Sequence, residues 1–344
     1  KRDVLAATVL LYSIGSLVSG AAPNVWVFLL GRALVGLGVG GEWAIGHGMV
    51  AEAVRATHRG RAAALLQAGE PTGVALAALV GTFAVPAFGW RAVMVAGSVT
   101  ALLAFFMRRS VHLPAEKRSA PVPLSALREA RVLPRLLLAW VLGVFKLGTY
   151  WTCYTWLPTF LAREMHQPVG RRAAWLLTAQ LGQFLGMLGF GVVSDRIGRR
   201  PAFAGYSVLT ALSIAPLAFD FPALAARPLL FWTAMFGLGV GSGCTAGFGA
   251  LLAELFPTEV RALAMGTTYN LARAVQLGAP VLVSWAVAEA GLAGGLGVPF
   301  ALALGTASWV WLLPETRGIA LPAIGARREE TGAESGPDYG NPLN

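Results

Sequence analysis

Charge is what this chain has least of. Asp, Glu, Lys and Arg make up 13% of its 344 residues, about half the share of an ordinary soluble domain. Hydrophobic residues make up 56% and the mean hydropathy is +0.63, so a water-soluble globular domain is excluded. Cysteine is nearly absent: Cys153 and Cys244 both lie inside apolar stretches, which excludes a disulfide framework and a thiolate metal site. Apolar and polar residues do not alternate with period two, and Ala, Leu and Gly dominate over Thr and Tyr, which argues against barrel strands. His47, His58, His112 and His166 are scattered with no serine elbow nearby, so a hydrolytic triad has no basis. The Gly-rich run 36–41 leads into Glu42 rather than Lys-Ser/Thr, so it is not a phosphate loop. No enzymatic activity, cofactor or metal is expected.

What is present is a series of ten apolar runs: Val4 to Ala22, Val25 to Glu52, Arg61 to Pro86, Gly89 to Met107, Leu136 to Leu161, Arg172 to Ser194, Ala202 to Asp220, Pro228 to Glu254, Ala262 to Ala288 and Val298 to Leu313. Each holds the roughly 20 mostly apolar residues that a membrane-spanning helix needs. The net charge of +10 comes from basic residues spread over short loops beside these runs, which points to a membrane surface and not to nucleic acid. Nineteen Lys and Arg fall on one side (Lys1 and Arg2, Arg55 to Arg61, Arg108 to Arg135, Arg196 to Arg200, Arg261, and Arg317 to Arg328) and five on the other (Arg91, Arg163, Arg171, Arg172 and Arg227). The positive-inside rule makes the richer side cytoplasmic. Residues 108–135, rich in Pro, Arg and Ser, read as a cytoplasmic linker with some interfacial helix, and 314–344 as a cytoplasmic tail, disordered toward its end.

The two sides of that linker repeat one another. GLGVG occurs at 36–40 and again at 237–241, 201 residues later, with Gly46 and Gly48 matched by Gly247 and Gly249. Glu52 is followed seven residues later by Arg59, and Glu254 seven later by Arg261. Duplicated halves with a site between them are a carrier plan. The small-x-x-x-small pairs Gly36/Gly40, Gly182/Gly186 and Gly237/Gly241 are expected to let helices approach and slide.

The loop after the sixth run reads Gly191, three residues, Asp195, Arg196, one residue, Gly198, Arg199, Arg200. This G-x-x-x-D-R-x-G-R-R pattern resembles the intracellular signature of the major facilitator superfamily. Arg32-x-x-x-Gly36-x-Gly38 resembles that family's fourth-helix motif, and Pro314-Glu315-Thr316-Arg317-Gly318 the ending of its sugar-porter-like branch. Gly40-Gly41-Glu42-Trp43, Gly89-Trp90-Arg91 and Trp156-Leu157-Pro158 are similar to the carboxylate and sialate proton symporters. The resemblance covers the chain to about Leu321 and implies an all-α integral membrane fold of the major facilitator type. Of its twelve-helix plan in two pseudo-repeated halves, ten helices are expected here: four in 1–107 and six in 136–313. Lys1 and Arg2 match the basic end of the family's first loop motif, so the chain looks like helices three to twelve and is not expected to transport as it stands.

Ionisable residues inside apolar runs are costly, about 2.5 to 3.5 kcal/mol each at mid-span, and so mark cavities or partners. Lys146, Thr149, Tyr150, Cys153 and Tyr154 form one polar stripe at helical spacing; Tyr269, Asn270, Arg273 and Gln276 form another. Lys146, Tyr150, Gln180, Gln183, Asn270 and Arg273 are the candidate substrate ligands, with Arg273 able to grip a carboxylate bidentately. The competing structural reading has Lys146 and Arg273 paired with Glu42 or Glu70. Glu42, Glu70 and His47 are the candidate proton carriers, although Glu42 and His47 stand about 140° apart on their helix. Gly191, Asp195, Arg196, Gly198, Arg199, Arg200, Glu52, Arg59, Glu254, Arg261, Glu315 and Arg317 are the candidate gate, in which Glu254 is expected to meet an arginine of the 196–200 loop and Asp195 to approach Gly60. The expected activity is proton-coupled uptake of a small organic anion by a monomer in the cell membrane. The alternatives are a sugar, neutral-solute or drug carrier of the same family, or a non-transporting membrane scaffold or fragment.

Overall fold

The computed structural model describes residues 2–102, 106, 122–129, 132–165, 169–220, 224 and 227–319. It is all-α: α1 (Arg2–Gly20), α2 (Val25–Ala53), α3 (Arg59–Gln67), α4 (Gly69–Gly97), α5 (Leu133–Met165), α6 (Val169–Ile197), α7 (Arg199–Phe219), α8 (Pro228–Ser242), α9 (Gly247–Leu255), α10 (Arg261–Val275) and α11 (Ala279–Trp309). A 3₁₀ turn, Gly243–Ala246, joins α8 to α9, and another, Gln276–Gly278, joins α10 to α11. Most of the expected linker 108–135 and all of the tail past Ile319 lie outside the described residues. Within the linker, Leu124–Arg128 forms a 3₁₀ turn.

Local chemistry sets the breaks. Asn24 caps α2, its side-chain oxygen accepting from the backbone N–H of Trp26 and Val27. Pro71 has no N–H for the carbonyl of Gln67, and the rod breaks at Ala68, whose carbonyl accepts from the Thr72 hydroxyl instead. Gly89 (φ 77) turns the chain back inside α4, and Gly291 (φ 69) does so inside α11, a backbone region open to glycine. After Gly89 the chain runs back along α1, with the Ser16 hydroxyl donating to the Met94 carbonyl and Ser13 bonded to Thr100.

Nine helical segments among the described residues are long and apolar enough to cross a membrane. The expected third run, Arg61 to Pro86, does not stand alone: Arg61, Gln67 and Glu70 and the Ala68 break dilute its first half, so the apolar window starts at Leu79 and runs over the Gly89 turn to Thr100. Leu29, Leu30, Leu65, Phe83, Leu212, Leu229, Val281 and Trp285 stay exposed as an outer apolar belt, as a lipid-facing surface requires.

Helices of the first stretch meet those of the second along α2 against α9 and α10, and along α3 against α6. Of the small-residue pairs, Gly186 and Gly182 press on Val240 and Gly239 of α8, whereas Gly36 faces open space. One apolar core, with Phe190, Phe203, Phe248 and Phe256, lies under the arginine-rich end; a second, with Trp175, Ile214, Phe231 and Met235, lies toward the other end.

Candidate functional site

Two polar assemblies interrupt the apolar interior. The first lies where α2, α3, α6, α7, α9 and α10 end together. Arg59 anchors its Nε on the Ala51 carbonyl of its own stretch (2.9 Å) and reaches across to Glu254 Oε1 (3.4 Å). Arg261 repeats this 202 residues later: Nε donates to the Ala253 carbonyl (2.8 Å) and Nη1 to Glu52 Oε1 (3.0 Å). The duplicated Glu/Arg pairs are therefore exchanged, each arginine meeting the other repeat's glutamate. Arg199 joins them, its side chain 0% exposed, donating to both Glu254 oxygens (3.0 and 2.8 Å), to Asp195 (2.8 Å) and to Ser194. Asp195 accepts from the backbone N–H of Gly60 (2.9 Å) and Arg61 (3.1 Å) at the start of α3, where a carboxylate suits the helix N-terminus. A Cβ on Gly60 would lie 2.5 Å from both Asp195 and Arg199. Gly191 packs against Ala64 and Arg61, while Arg196 is exposed on the surface of the loop.

The segment after α11 threads into this cluster. Gly198 (φ 109) leaves room for Glu315, which accepts from the backbone N–H of Arg199, Arg200, Thr316 and Arg317. Partial burial pushes the Glu315 carboxyl up, but these four donors outweigh it and hold the group below the usual glutamate range. The Thr316 hydroxyl donates to Glu254 and the Ile319 carbonyl accepts from Arg59. Every charged group buried in this assembly has a partner.

The second assembly is the reverse. Lys146, Glu70, Arg273, Gln183 and Ser242 each lie 11 to 14 residues along their rods from the arginine-rich end, roughly 20 Å and so near mid-depth of a bilayer. Lys146 is 1% exposed and its ammonium has no hydrogen-bond partner. Gln183, 0% exposed, lies beside the Tyr150 hydroxyl, yet neither of its amide atoms reaches hydrogen-bond geometry. The Gln180 oxygen near the Tyr150 hydroxyl, and the neighbouring Tyr154 and Ser242 hydroxyls, are likewise buried and outside hydrogen-bond geometry. An orphaned buried polar atom costs about 1–3 kcal/mol, so this concentration calls for an explanation.

Arg273 and Lys146 are the cations within electrostatic reach of Glu70. Arg273 also reaches the Tyr269 ring (5.9 Å to its centroid) and lines a cavity of about 260 Å³ with Trp151, Thr152, Trp156 and Gln276. Trp43 of α2 stacks on Tyr269 of α10 at 3.8 Å and 5°.

The other predicted residues divide. Asn270 is engaged elsewhere, its amide donating to the Gly40 carbonyl across the seam. Gln276 ties α10 to α5 through the Val144 carbonyl. Glu42 is half-buried on the α1 side, in electrostatic reach of Tyr12, and is not brought to Lys146 or Arg273. His47 is 3% exposed, bonded to the Gln67 side chain and packed on Gly249, where a Cβ would lie 2.0 Å from Nδ1. Sequence reasoning missed Gln67 and Ser242, and it noted Trp43 and Tyr269 only as part of a motif and of a polar stripe, not as a stacked pair. Gln67 stands three residues before Glu70 across the Ala68 break, a polar pair beside Pro71 that could have drawn attention to it.

Residues 1–189 match the family model described as Major Facilitator Superfamily. A Cupriavidus pinatubonensis protein designated a 4-methylmuconolactone transporter is 31% identical over 339 residues, covering 94% of this chain and 78% of that one. The sialic acid transporter of Escherichia coli is 26% identical over 329 residues, covering 94% and 78%. Among solved structures, a proton:xylose symporter bound to 6-bromo-6-deoxy-D-glucose superposes with a TM-score of 0.72 at 17% identity, over 93% of this chain and 82% of that chain, a likeness of fold.

Proposed function

Because this chain belongs to the Major Facilitator Superfamily, a transporter family, we propose that it is a secondary carrier of a small organic anion, coupled to protons and working by alternating access between two halves. In this reading 1–107 and 136–313 are the halves, 108–135 is the linker, and the bias of basic residues assigns the arginine-rich end and the tail to the cytoplasm. The carrier is a monomer in the cell membrane. One observation carries the substrate class: the unpartnered, fully buried Lys146 ammonium among orphaned amides and hydroxyls, with Arg273 close by. A carboxylate would accept from the Lys146 ammonium, the Gln183 N–H and the Tyr154 and Ser242 hydroxyls, and the two relatives named above are designated transporters of 4-methylmuconolactone and of sialic acid. Glu70, near both cations, is the favoured proton carrier, ahead of His47, which packs in the seam, and Glu42, which faces α1. The ionic assembly is the gate, closed in this conformation.

Reconstituted vesicles test this by comparing uptake driven by a pH gradient with counterflow. Arg273→Lys is expected to weaken carboxylate uptake at least about tenfold, because Lys keeps the charge and loses the planar fork. Glu70→Gln is expected to spare counterflow and remove accumulation. If a sugar is carried and Arg273→Lys changes nothing, the orphaned Gln180, Gln183 and Ser242 groups serve a neutral polyol instead.

A further inference from the structure

Gln67 bonds at once to Trp43, His47 and Glu70, alone among the described residues, and the direction of each bond follows from chemistry. Trp43 Nε1 is a donor only, so the Gln67 atom 3.0 Å from it is the carbonyl oxygen. His47 Nε2 lies 3.0 Å from the same oxygen and so carries its proton. Nδ1 is then the lone-pair nitrogen, without a partner and facing Gly249 of α9. That leaves the Gln67 Nε2 donor on Glu70 Oε2 at 2.6 Å. A one-way chain thus runs from the seam between α2, α9 and α10, where Trp43 stacks on Tyr269 and His47 packs on Gly249, to the carboxylate facing Arg273 and Lys146.

We propose that Gln67 is a positioning residue that holds the Glu70 carboxylate as the built-in counter-ion of Lys146 and Arg273 and ties that carboxylate's ionisation to the contact between the halves. The inference rests on the anion-carrier reading of the mid-depth site. Two cations and one carboxylate leave a single positive charge. When a monocarboxylate arrives and one proton from solution goes to Glu70, the substrate takes over as counter-ion and the sum is unchanged. The Gln67 N–H then loses its charged acceptor, a bond roughly twice as strong as a neutral one, and the same amide stops fixing Trp43 and His47. The groups facing Glu70 are Gln67 from α3, Lys146, Tyr150 and Tyr154 from α5, and Tyr269 and Arg273 from α10, with His47 of α2 one bond further along the chain.

Trp43 is the reporter. Its emission, taken as the difference between the protein and Trp43→Phe in lipid nanodiscs, is expected to show one pH step that disappears in Glu70→Gln. Gln67→Met keeps bulk and removes the amide; it is expected to abolish the Trp43 step while infrared difference spectra still show a Glu70 carboxyl titrating. Should that variant not fold, Gln67→Glu keeps the acceptor for Trp43 and His47 but sets two carboxyls side by side, and is expected to move the step to higher pH. An unshifted step in the Gln67 variant that folds, or a step lost in His47→Gln and kept in Glu70→Gln, overturns the proposal. Sodium N-acetylneuraminate and sodium benzoate are expected to raise the step's midpoint, with xylose as the neutral control. If the step depends on Gln67 but neither carboxylate moves it, the anion reading fails and the role of Gln67 stands.

Discussion

The arginine-rich end and the mid-depth cluster bury the same kinds of groups and treat them oppositely. Arg199, Arg261 and Glu254 are as deeply buried as Lys146 and Gln183, yet the first three have partners on several atoms and the last two have none on their terminal atoms. A charge taken out of water is tolerable only when paired and hydrogen-bonded. The satisfied cluster therefore holds the molecule together, and the unsatisfied one is where the proposed anion would bind. Burial alone would have made them look alike.

That contrast can be broken. The largest effect is expected from Arg199→Met, which leaves Glu254 with only Arg59 and Thr316, and Asp195 without its short arginine pair: stability in detergent should fall by about 3 kcal/mol, read as a drop in the unfolding midpoint. Gly249→Ala comes next. Its Cβ would meet the His47 ring at 2.0 Å, and overpacking of this kind costs about 1–3 kcal/mol. It should push the halves apart at the seam, read as a smaller drop in the unfolding midpoint. Lys146→Met sharpens the comparison by its sign. Replacing an unpartnered buried ammonium with an apolar side chain of similar length should leave stability unchanged or raise it while abolishing carboxylate uptake, and a loss as large as that of Arg199→Met would show that Lys146 is structural.

The smallest effect belongs to Glu315. Its carboxyl is held below the usual glutamate range by four backbone N–H groups, so its contribution is present above the ordinary pKa of about 4.3 and is lost as pH falls through the depressed folded value. Because the group is largely exposed, Glu315→Gln should cost below about 1 kcal/mol. It should also flatten the acid limb of a stability–pH curve.

The apolar runs were legible because length and composition set membrane spans almost without regard to neighbours. The Glu52/Arg59 and Glu254/Arg261 repeats were legible as repeats, but their exchange was not, since seven-residue spacing within a half says nothing of which partner lies across the seam. The meeting of Asp195 with Gly60 could be anticipated from opposite charge at neighbouring rod ends. Glu42 drew notice for its Gly-Gly-Glu-Trp setting, yet helical phase turns it toward α1. Gln67 passed as an ordinary polar residue. What marks it is the convergence of Trp43, His47 and Glu70 from separate turns and rods, which linear spacing does not encode.

The way Arg59 and Arg261 are moored has a kinetic consequence. Each fixes its Nε on a carbonyl of its own stretch, Ala51 or Ala253, and offers only the outer nitrogens across the seam. Under the proposed rocking, separation removes the glutamate and leaves the guanidinium aimed as before, its rotamer already chosen. Re-closing then needs no search among side-chain conformers, an ordering cost of about 0.5–1.5 kcal/mol per side chain, so the closing rate should be governed by rigid-body motion of the helices and not by the reassembly of the ion pairs.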